Sequence, residues 1–517
     1  MLYEQQHMTI ECIAGLTAKS SGGGRKITAK TKSARANTKS LRSTLLGSGF
    51  RLVGSRDISL GAQGTTLLAG LVAAIFFGLS DQNATAAPSV VPTGVTYYDP
   101  TRAYGSYVVF DGPDMKTHLI DMDGNQVHSW DHVGFPSEML SPSRSIGGKR
   151  GDVLLQLSAI DGEATGVVPG QPATLRNRTI GELDWDGNIM WKWGEKAPTG
   201  AARQHHDQYR MENGDTLVLS NEFHHVDGFS LNKVLDDTIY EVAPSGEIVW
   251  RWSATNHLNE FGLSPAELAF VYQSKAPDFL HTNDMQPLGP NKWFANGDQR
   301  FAPENILISS RNANFLAIIE KKTGKVVWKI GPHYQAKAET AQQDEHEAFT
   351  NTQMSGQHDA HMIAEGLPGA GNILVFDNQG EAGYPPVALG VLPGSRVLEI
   401  DPVTEKVVWY YSALSSDRPT WTFYSAFIGS ARRLPNGNTL INEGMNGRIF
   451  QVTPDGAIVW EYVNPYFANE TMGGINKKVW TNEVYRAQPV PYEWVPKDTP
   501  RAENPVETPD GQLSHAR

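Results

Sequence analysis

The stretch RIFQVTPDGAIVWEY, Arg448 to Tyr462, decides the fold. Apolar residues alternate with others on both sides of a Pro-Asp-Gly turn, the pattern of a β-hairpin with one face buried. Its second strand runs to Trp460, four residues after the turn glycine, Gly456. Five upstream stretches repeat the arrangement: THLIDMDGNQVHSW (Thr117–Trp130), IGELDWDGNIMWKW (Ile180–Trp193), TIYEVAPSGEIVWRW (Thr238–Trp252), LAIIEKKTGKVVWKI (Leu316–Ile330) and RVLEIDPVTEKVVWYY (Arg396–Tyr411). Counted from the turn residue, tryptophan falls at plus four in Trp191, Trp250, Trp328, Trp409 and Trp460. The fifth copy has Glu405 in place of glycine, and the first has His128 at plus four and Trp130 at plus six.

The turns, at positions 124, 187, 246, 324, 405 and 456, are separated by 51 to 81 residues. Upstream of most hairpins lies a further strand pattern with its own turn: ENGDTLVLSNE, GPNKWFANGD, GAGNILVFDNQ and PNGNTLINEG. Four strands per unit, repeated with a tryptophan mark, predict an all-β chain folded as a six-bladed β-propeller of four-stranded blades. A single such sheet cannot bury both faces. Closing a ring buries each sheet against two neighbours, and the tryptophans are expected to fill the space between blades. The segment KKVWTNEVYRAQPVPYEWV (Lys477–Val495) is placed to close the ring by joining the last blade to the first. The propeller is therefore expected over residues 87–495, with a loose polar tail over 496–517.

Residues 1–64 have a different composition. They carry ten Lys or Arg against three acids, with much Ser, Thr and Gly and no apolar periodicity, so a disordered basic leader is expected. TTLLAGLVAAIFFGLS (Thr65–Ser80) is uncharged and is followed by ATA, ending at Ala86. A basic flank, an apolar run and a small-x-small site predict a signal peptide over 65–86 and a periplasmic or secreted location. Membrane anchoring through 65–80 is the alternative, although the run is slightly short for a span. Beyond Ala86 the chain holds 34 bases against 52 acids. Such acidity argues against nucleic acid as a partner, because phosphate contacts need a basic face. The single cysteine, Cys12, lies in the leader, so the exported part must rest on its core without disulfides.

Three stretches concentrate chemistry: QHHDQ (Gln204–Gln208), LHTND (Leu280–Asp284) and GQHDAH (Gly356–His361). The first strand of each propeller blade lines the channel. Counting back eleven residues from the strand openings Thr216, Lys292, Asn372 and Thr439 reaches His205, His281, His361 and Ile428. Three successive blades thus place a histidine toward one axis, with His358 as an alternative to His361. Asp207, Asp284 and Asp359 stand nearby. Imidazoles with a carboxylate can serve as zinc or iron ligands, as catalytic groups or as turn caps. No H-x-x-x-H helix or Cys pair accompanies them.

From about Gly105 to Tyr466 the chain resembles the bacterial arylsulfotransferases. The matching segments are LHTND, ILISSRNANFLAIIEKKTGKVVWKIG (Ile306–Gly331), QHDAH with LVFDNQG (Leu374–Gly380), SRVLEID (Ser395–Asp401) and LPNGNTLINEG (Leu434–Gly444). The resemblance implies an exported six-bladed propeller without metal or nucleotide cofactor. It also implies transfer of a sulfuryl group from an aryl sulfate to a phenolic acceptor through a sulfohistidine, assisted by two further histidines and an arginine. His281 matches the first family histidine and His358 the second, with His361 as rival. The family arginine falls at Glu381, leaving Arg396, Arg300 or Arg311 as substitutes. The sulfo-acceptor position falls at Phe423, and no histidine lies between His361 and His515. The covalent role then passes to His205, His206 or His358. A metal-dependent propeller enzyme of another class and a non-catalytic ligand-binding propeller are the alternatives, since one fold hosts many functions.

Overall fold

The computed structural model describes residues 91–157, 177–336, 352–387, 390, 392–472 and 477–507. The basic leader and the apolar run of 65–80 lie outside these residues. Six sheets form the propeller. Blade 1 combines Tyr107–Asp111, Thr117–Ile120 and Gln126–Trp130 with Ala487–Val490. Blades 2 to 5 run over 138–193, 204–253, 282–330 and 358–411. Blade 6 comprises Ser430–Arg433, Thr439–Glu443, Arg448–Val452 and Ile458–Val463, with Gly94–Tyr98 added outside.

The hairpin motif forms as its turn chemistry dictates. Turn residues Gly124, Gly187, Gly246, Gly324 and Gly456 all have positive φ, and Glu405 keeps the same left-handed conformation at φ 58°. The register shifts beside each turn, as between Glu241 and Val242 in blade 3. That is a turn closed by a glycine bulge.

Six hydrophobic clusters lie between successive blades. Leu307, Ile318 and Trp328 of blade 4, for example, meet Ile373, Val375 and Leu398 of blade 5. The plus-four tryptophans pack there and also form hydrogen bonds. Each indole N–H donates to a carbonyl in the hairpin turn of the next blade: Trp191 to Pro244, Trp250 to Lys321, Trp328 to Pro402, Trp409 to Pro454 and Trp460 to Met122, at 2.7 to 3.1 Å. In blade 1, Trp130 makes this bond to Asp184 at 3.2 Å, and His128 stacks on Trp185 at 3.9 Å.

Closure uses both ends of the described chain. Ala487–Val490 pairs with Tyr107–Phe110 as the inner strand of blade 1, and Gly94–Val95 and Tyr97–Tyr98 pair with the outer strand of blade 6. Lys477–Thr481 pairs instead with Ala468–Met472 in a separate hairpin, so only the later part of the expected closing segment joins the ring. Residues 496–507, expected to be loose, are tied down. Val506 exchanges backbone hydrogen bonds with Tyr98, and Asn504 bonds to Asp123.

One strand assignment fails. GPNKWFANGD forms a short helix, Lys292–Ala295, because Asn291 caps it by accepting from the amides of Trp293 and Phe294. The second strand of blade 4 is Ile306–Ser310.

The indole bonds predict a measurable asymmetry. Trp328→Phe leaves the Pro402 carbonyl without its donor and should cost about 2 to 3 kcal/mol in urea unfolding. Trp421→Phe, at a side chain 58% exposed, should change stability by less than about 0.5 kcal/mol.

Candidate active site

After blade 3 the chain leaves the ring. A 3-10 helix (Ala254–Glu260) is followed by a helix (Pro265–Gln273) opened by a Ser264–Glu267 capping box. The return is pinned at Asp278, where the Leu235 amide donates to the Pro277 carbonyl at 2.9 Å and Asn312 Nδ2 to the Asp278 carbonyl at 3.1 Å. This delivers the Asp278 carboxylate to His281, whose Nδ1–H donates to it at 2.5 Å. A carboxylate on Nδ1 fixes the tautomer and leaves the Nε2 lone pair free. About a fifth of the His281 side chain is exposed. Burial works against the Asp278 charge, but the imidazoles of His281 and His205 outweigh it and hold the carboxyl below its usual range.

Three more imidazoles surround this pair. The His206 ring meets His281 edge-on at 4.5 Å. His205 Nδ1 and His206 Nδ1 lie 2.8 Å apart, so one carries the proton and the other accepts it. His205 Nε2 is 3.6 Å from Asp237 Oδ1, too far for a hydrogen bond. Burial and the Asp278 charge push the Asp237 carboxyl well up. His358 is held at both nitrogens: Nδ1 donates to Asn378 Oδ1 at 2.7 Å, and Nε2 accepts from the Ile428 amide at 3.3 Å. Burial and the positive charge of Arg311 bring His358 down to about 3. Burial brings His205 down to about 4. His206 is pushed well down by burial, then by the neighbouring imidazoles and Arg486. Arg311 is itself buried, and burial lowers it to about 10 against the support of Asp278.

Beneath the imidazoles lies a layer of carboxylates around Arg486. Its Nη1 donates to Asp207 at 2.8 Å, Nη2 to Asp284 at 2.9 Å and Nε to Asp359 at 3.0 Å. Arg432 adds a 2.5 Å contact to Asp359. The register explains this convergence. Arg210 faces Thr216, Pro287 faces Ile306 and Met362 faces Ile373. Asp207, Asp284 and Asp359 each stand three residues before those anchors, while His206, Asn283 and His358 occupy the level above.

The carboxylates are therefore in register, and the set His205, His281 and His361 is not. His361 lies beyond the carboxylate layer, level with Arg432, whose charge together with burial lowers it to about 3. Eleven residues back from Asn372 stops short of His358, because the link between the first two strands is longer in blade 5, from Met362 to Ile373, than in blade 3, from Arg210 to Thr216. His205, His281 and His358 do converge, joined by His206.

Arg396 is engaged elsewhere, donating to Asp377 at 2.5 Å and to the Thr352 carbonyl at 3.2 Å. Arg300 pairs with Asp298 and is partly exposed. Of the three candidate arginines, Arg311 is the one whose charge acts on His358. Phe423 is core, packed among Phe376, Tyr411 and Phe450. Among the described residues, no group of three or more His, Cys, Asp or Glu is arranged to hold a metal ion.

The sequence model of the arylsulfotransferases matches residues 178–465, more than half of the chain. The chain belongs to the arylsulfotransferase family. The match runs from the outer half of blade 2 through blade 6 and includes every histidine of the cluster. No curated protein matches the chain in sequence. Among solved structures, a protein of unknown function from Bacteroides caccae is 12% identical, covering 75% of this chain and 99% of its own, with a TM-score of 0.40. AztD from Citrobacter koseri is 7% identical over 74% of this chain and 98% of its own, at 0.32. At those scores neither likeness carries weight.

For this arylsulfotransferase-family chain, Asp278, Arg311 and Arg486 are the site residues that repeat counting did not single out. Asp278 has a local signal, a carboxylate three residues before His281. Arg311 follows the second strand of blade 4 as Asn378 follows that of blade 5, so alignment of neighbouring blades finds it.

Burial and the Asp207 charge push the Asp284 carboxyl well above its usual range, so its proton is held to higher pH than in the unfolded chain. Stability from this group is therefore fully present below about pH 4 and declines as pH rises toward its folded value. Asp284→Asn, neutral at every pH, should gain on the wild type in urea midpoint between pH 4 and pH 7. A pH-independent difference would show that Asp284 carries no extra proton. Asp207→Asn, which weakens a buried ion pair, should instead cost about 3 kcal/mol at pH 7.

Proposed function

We propose that the protein transfers a sulfuryl group from an aryl sulfate to a phenol, and that His281 Nε2 carries the group between them. The observation that supports this choice is the Asp278–His281 pair, with its outer nitrogen free and its ring partly exposed. His358 has both nitrogens engaged. His205 and His206 spend their Nδ1 atoms on each other, and His205 Nε2 is buried.

In the first half-reaction the His281 Nε2 lone pair attacks sulfur. The sulfur–oxygen bond to the arene breaks, and the phenolate leaves with the electron pair. The imidazole becomes cationic, and Asp278 on Nδ1 balances that charge. In the second, an acceptor phenol loses its proton and attacks sulfur. The sulfur–nitrogen bond breaks and His281 is restored. The net proton moves from the acceptor phenol to the departing phenolate. The His205–His206 pair, with one proton between two nitrogens, is suited to relay it.

A transferring sulfuryl group, like a phosphoryl group, spreads negative charge over three oxygens in a loose transition state. Fixed positive and donor groups around those oxygens then supply most of the catalysis. Arg311, buried beside His358 and Asp278, fits that role and supplies the guanidinium absent at Glu381. The basic leader, apolar run and A-x-A site support export, with cleavage after Ala86 leaving Ala87 as the new N-terminus of recovered protein.

The test is turnover of para-nitrophenyl sulfate with phenol as acceptor, with mass spectrometry of the trapped enzyme. A sulfo group should map to His281. His281→Ala should abolish both turnover and adduct, and Asp278→Asn should lower kcat on the order of a thousandfold. Folded protein that shows neither turnover nor adduct overturns the reading, and an adduct surviving His281→Ala moves the covalent role to another histidine.

A further inference from the structure

We infer that Arg486 is a positioning residue for this site: one guanidinium, brought by the closing segment, sets the spacing and the charge of the three inner strands that carry the histidines. The inference rests on the sulfotransferase reading for its kinetic consequence only.

Arg486 is buried, and each of its three kinds of nitrogen meets a different blade: Asp207 of blade 3, Asp284 of blade 4 and Asp359 of blade 5. Two of these aspartates are sequence neighbours of cluster histidines, Asp207 of His206 and Asp359 of His358. The third, Asp284, shares the short inner strand that begins directly after His281. The second oxygens lock the strands to one another. Asp207 Oδ2 accepts from the Met285 amide at 2.9 Å, and Asp359 Oδ2 accepts from the Ala431 amide at 3.0 Å. A movement of Arg486 therefore passes to the backbone of four blades.

The residue before it meets His206 from another side. Tyr485 donates its hydroxyl to the Asn283 carbonyl at 3.0 Å, packs with its ring tilted against Phe135 at 4.0 Å and meets the His206 ring edge-on at 5.8 Å. Asn442 holds the segment by donating Nδ2 to the carbonyls of Val484 and Tyr485. A lysine could keep the positive charge, but one ammonium cannot reproduce the planar fork that spans three carboxyl groups.

Charge offers a readout that a purely mechanical role would leave unmoved. The titratable groups around His206 are the imidazoles of His205, His281 and His358 and the Arg486 guanidinium, with the uncharged ring of Phe135 and the phenol of Tyr485 completing its surroundings. Removing the guanidinium leaves His206 above carboxylates that have lost their main counter-charge, so its imidazole should take up a proton at higher pH.

The experiment compares full-length wild type, Arg486→Met and Arg486→Lys. It measures kcat and KM for para-nitrophenyl sulfate across pH, and titrates the histidine Cε1–H resonances by NMR, with His206→Gln to assign the His206 signal. In Arg486→Met, kcat per folded molecule should fall about a hundredfold, with KM changed less than about threefold. The His206 titration should move up by about one pH unit or more. In Arg486→Lys the titration should return toward wild type while kcat stays low, separating charge from position. Unchanged kcat per folded molecule and an unmoved His206 titration would reduce Arg486 to a closure contact and overturn the inference. Should Arg486→Met fail to fold, Arg486→Lys carries the test of position through its low kcat, and Asp207→Asn carries the test of charge with the opposite sign, since loss of a carboxylate beside a retained guanidinium should move the His206 titration down. A wild type without turnover sinks the sulfotransferase reading alone, because the NMR titration still decides for or against Arg486.

Discussion

Around the ring, each blade donates an indole N–H to the hairpin turn of the next. The remaining arrangement depends on this bond. A blade is a four-stranded sheet whose faces pack on neighbours through apolar contacts, and such contacts have no directional preference. The indole adds direction. Its hydrogen bond is available only when the neighbouring turn presents a carbonyl at a set height, which the left-handed residue of the turn arranges. Spacing of four residues from turn to tryptophan therefore encodes two things at once: the shape of a hairpin and the level at which the next hairpin must sit. Trp460, donating to Met122, carries the same instruction across the point where the chain begins and ends its circuit.

A ring held at constant level brings the inner strands to the axis in one register, and the chemistry follows from that. Identical positions on three strands place Asp207, Asp284 and Asp359 together. Three carboxyl groups in one buried layer cannot remain unaccompanied, and Arg486 and Arg432 answer them. The histidines lie above, where the strands begin, with the Asp278 carboxylate on His281 and the Arg311 guanidinium beside His358. Acid and base groups are thus layered along the axis. The lower layer is compensated internally, and the upper layer keeps an unspent nitrogen on His281.

The architecture was legible because it is periodic. Six turns and their tryptophans identified the blades, and the polar stretches at Gln204, Leu280 and Gly356 pointed to one channel. The site was legible only in outline, since convergence of side chains depends on register rather than on spacing. A helix at Lys292 and bulges near the histidines each displace a count by a residue or more. Asp278 arrives on an insertion between blades, and Arg486 arrives from the far end of the sequence. Asp278 stands three residues before its partner His281, whereas Arg486 has no partner within reach of a local motif. Arg311 was one of three candidate arginines, and burial next to Asp278 is what separates it from the exposed Arg300 and the Asp377-bound Arg396.

The inner strand of blade 1 is contributed by residues 487–490, although the rest of that blade lies at 107–130. In the order of synthesis, every histidine of the cluster and all three axial aspartates leave the ribosome before Arg486. Until it arrives, the carboxylates have only Arg432 between them and blade 1 presents an open edge. The nascent chain can therefore form blades but not a finished channel. The chemistry becomes available in one late event, when the closing strand docks and places its guanidinium among the waiting carboxylates, so a chain ending at Tyr485 would carry every histidine of the cluster without the group that spaces their strands.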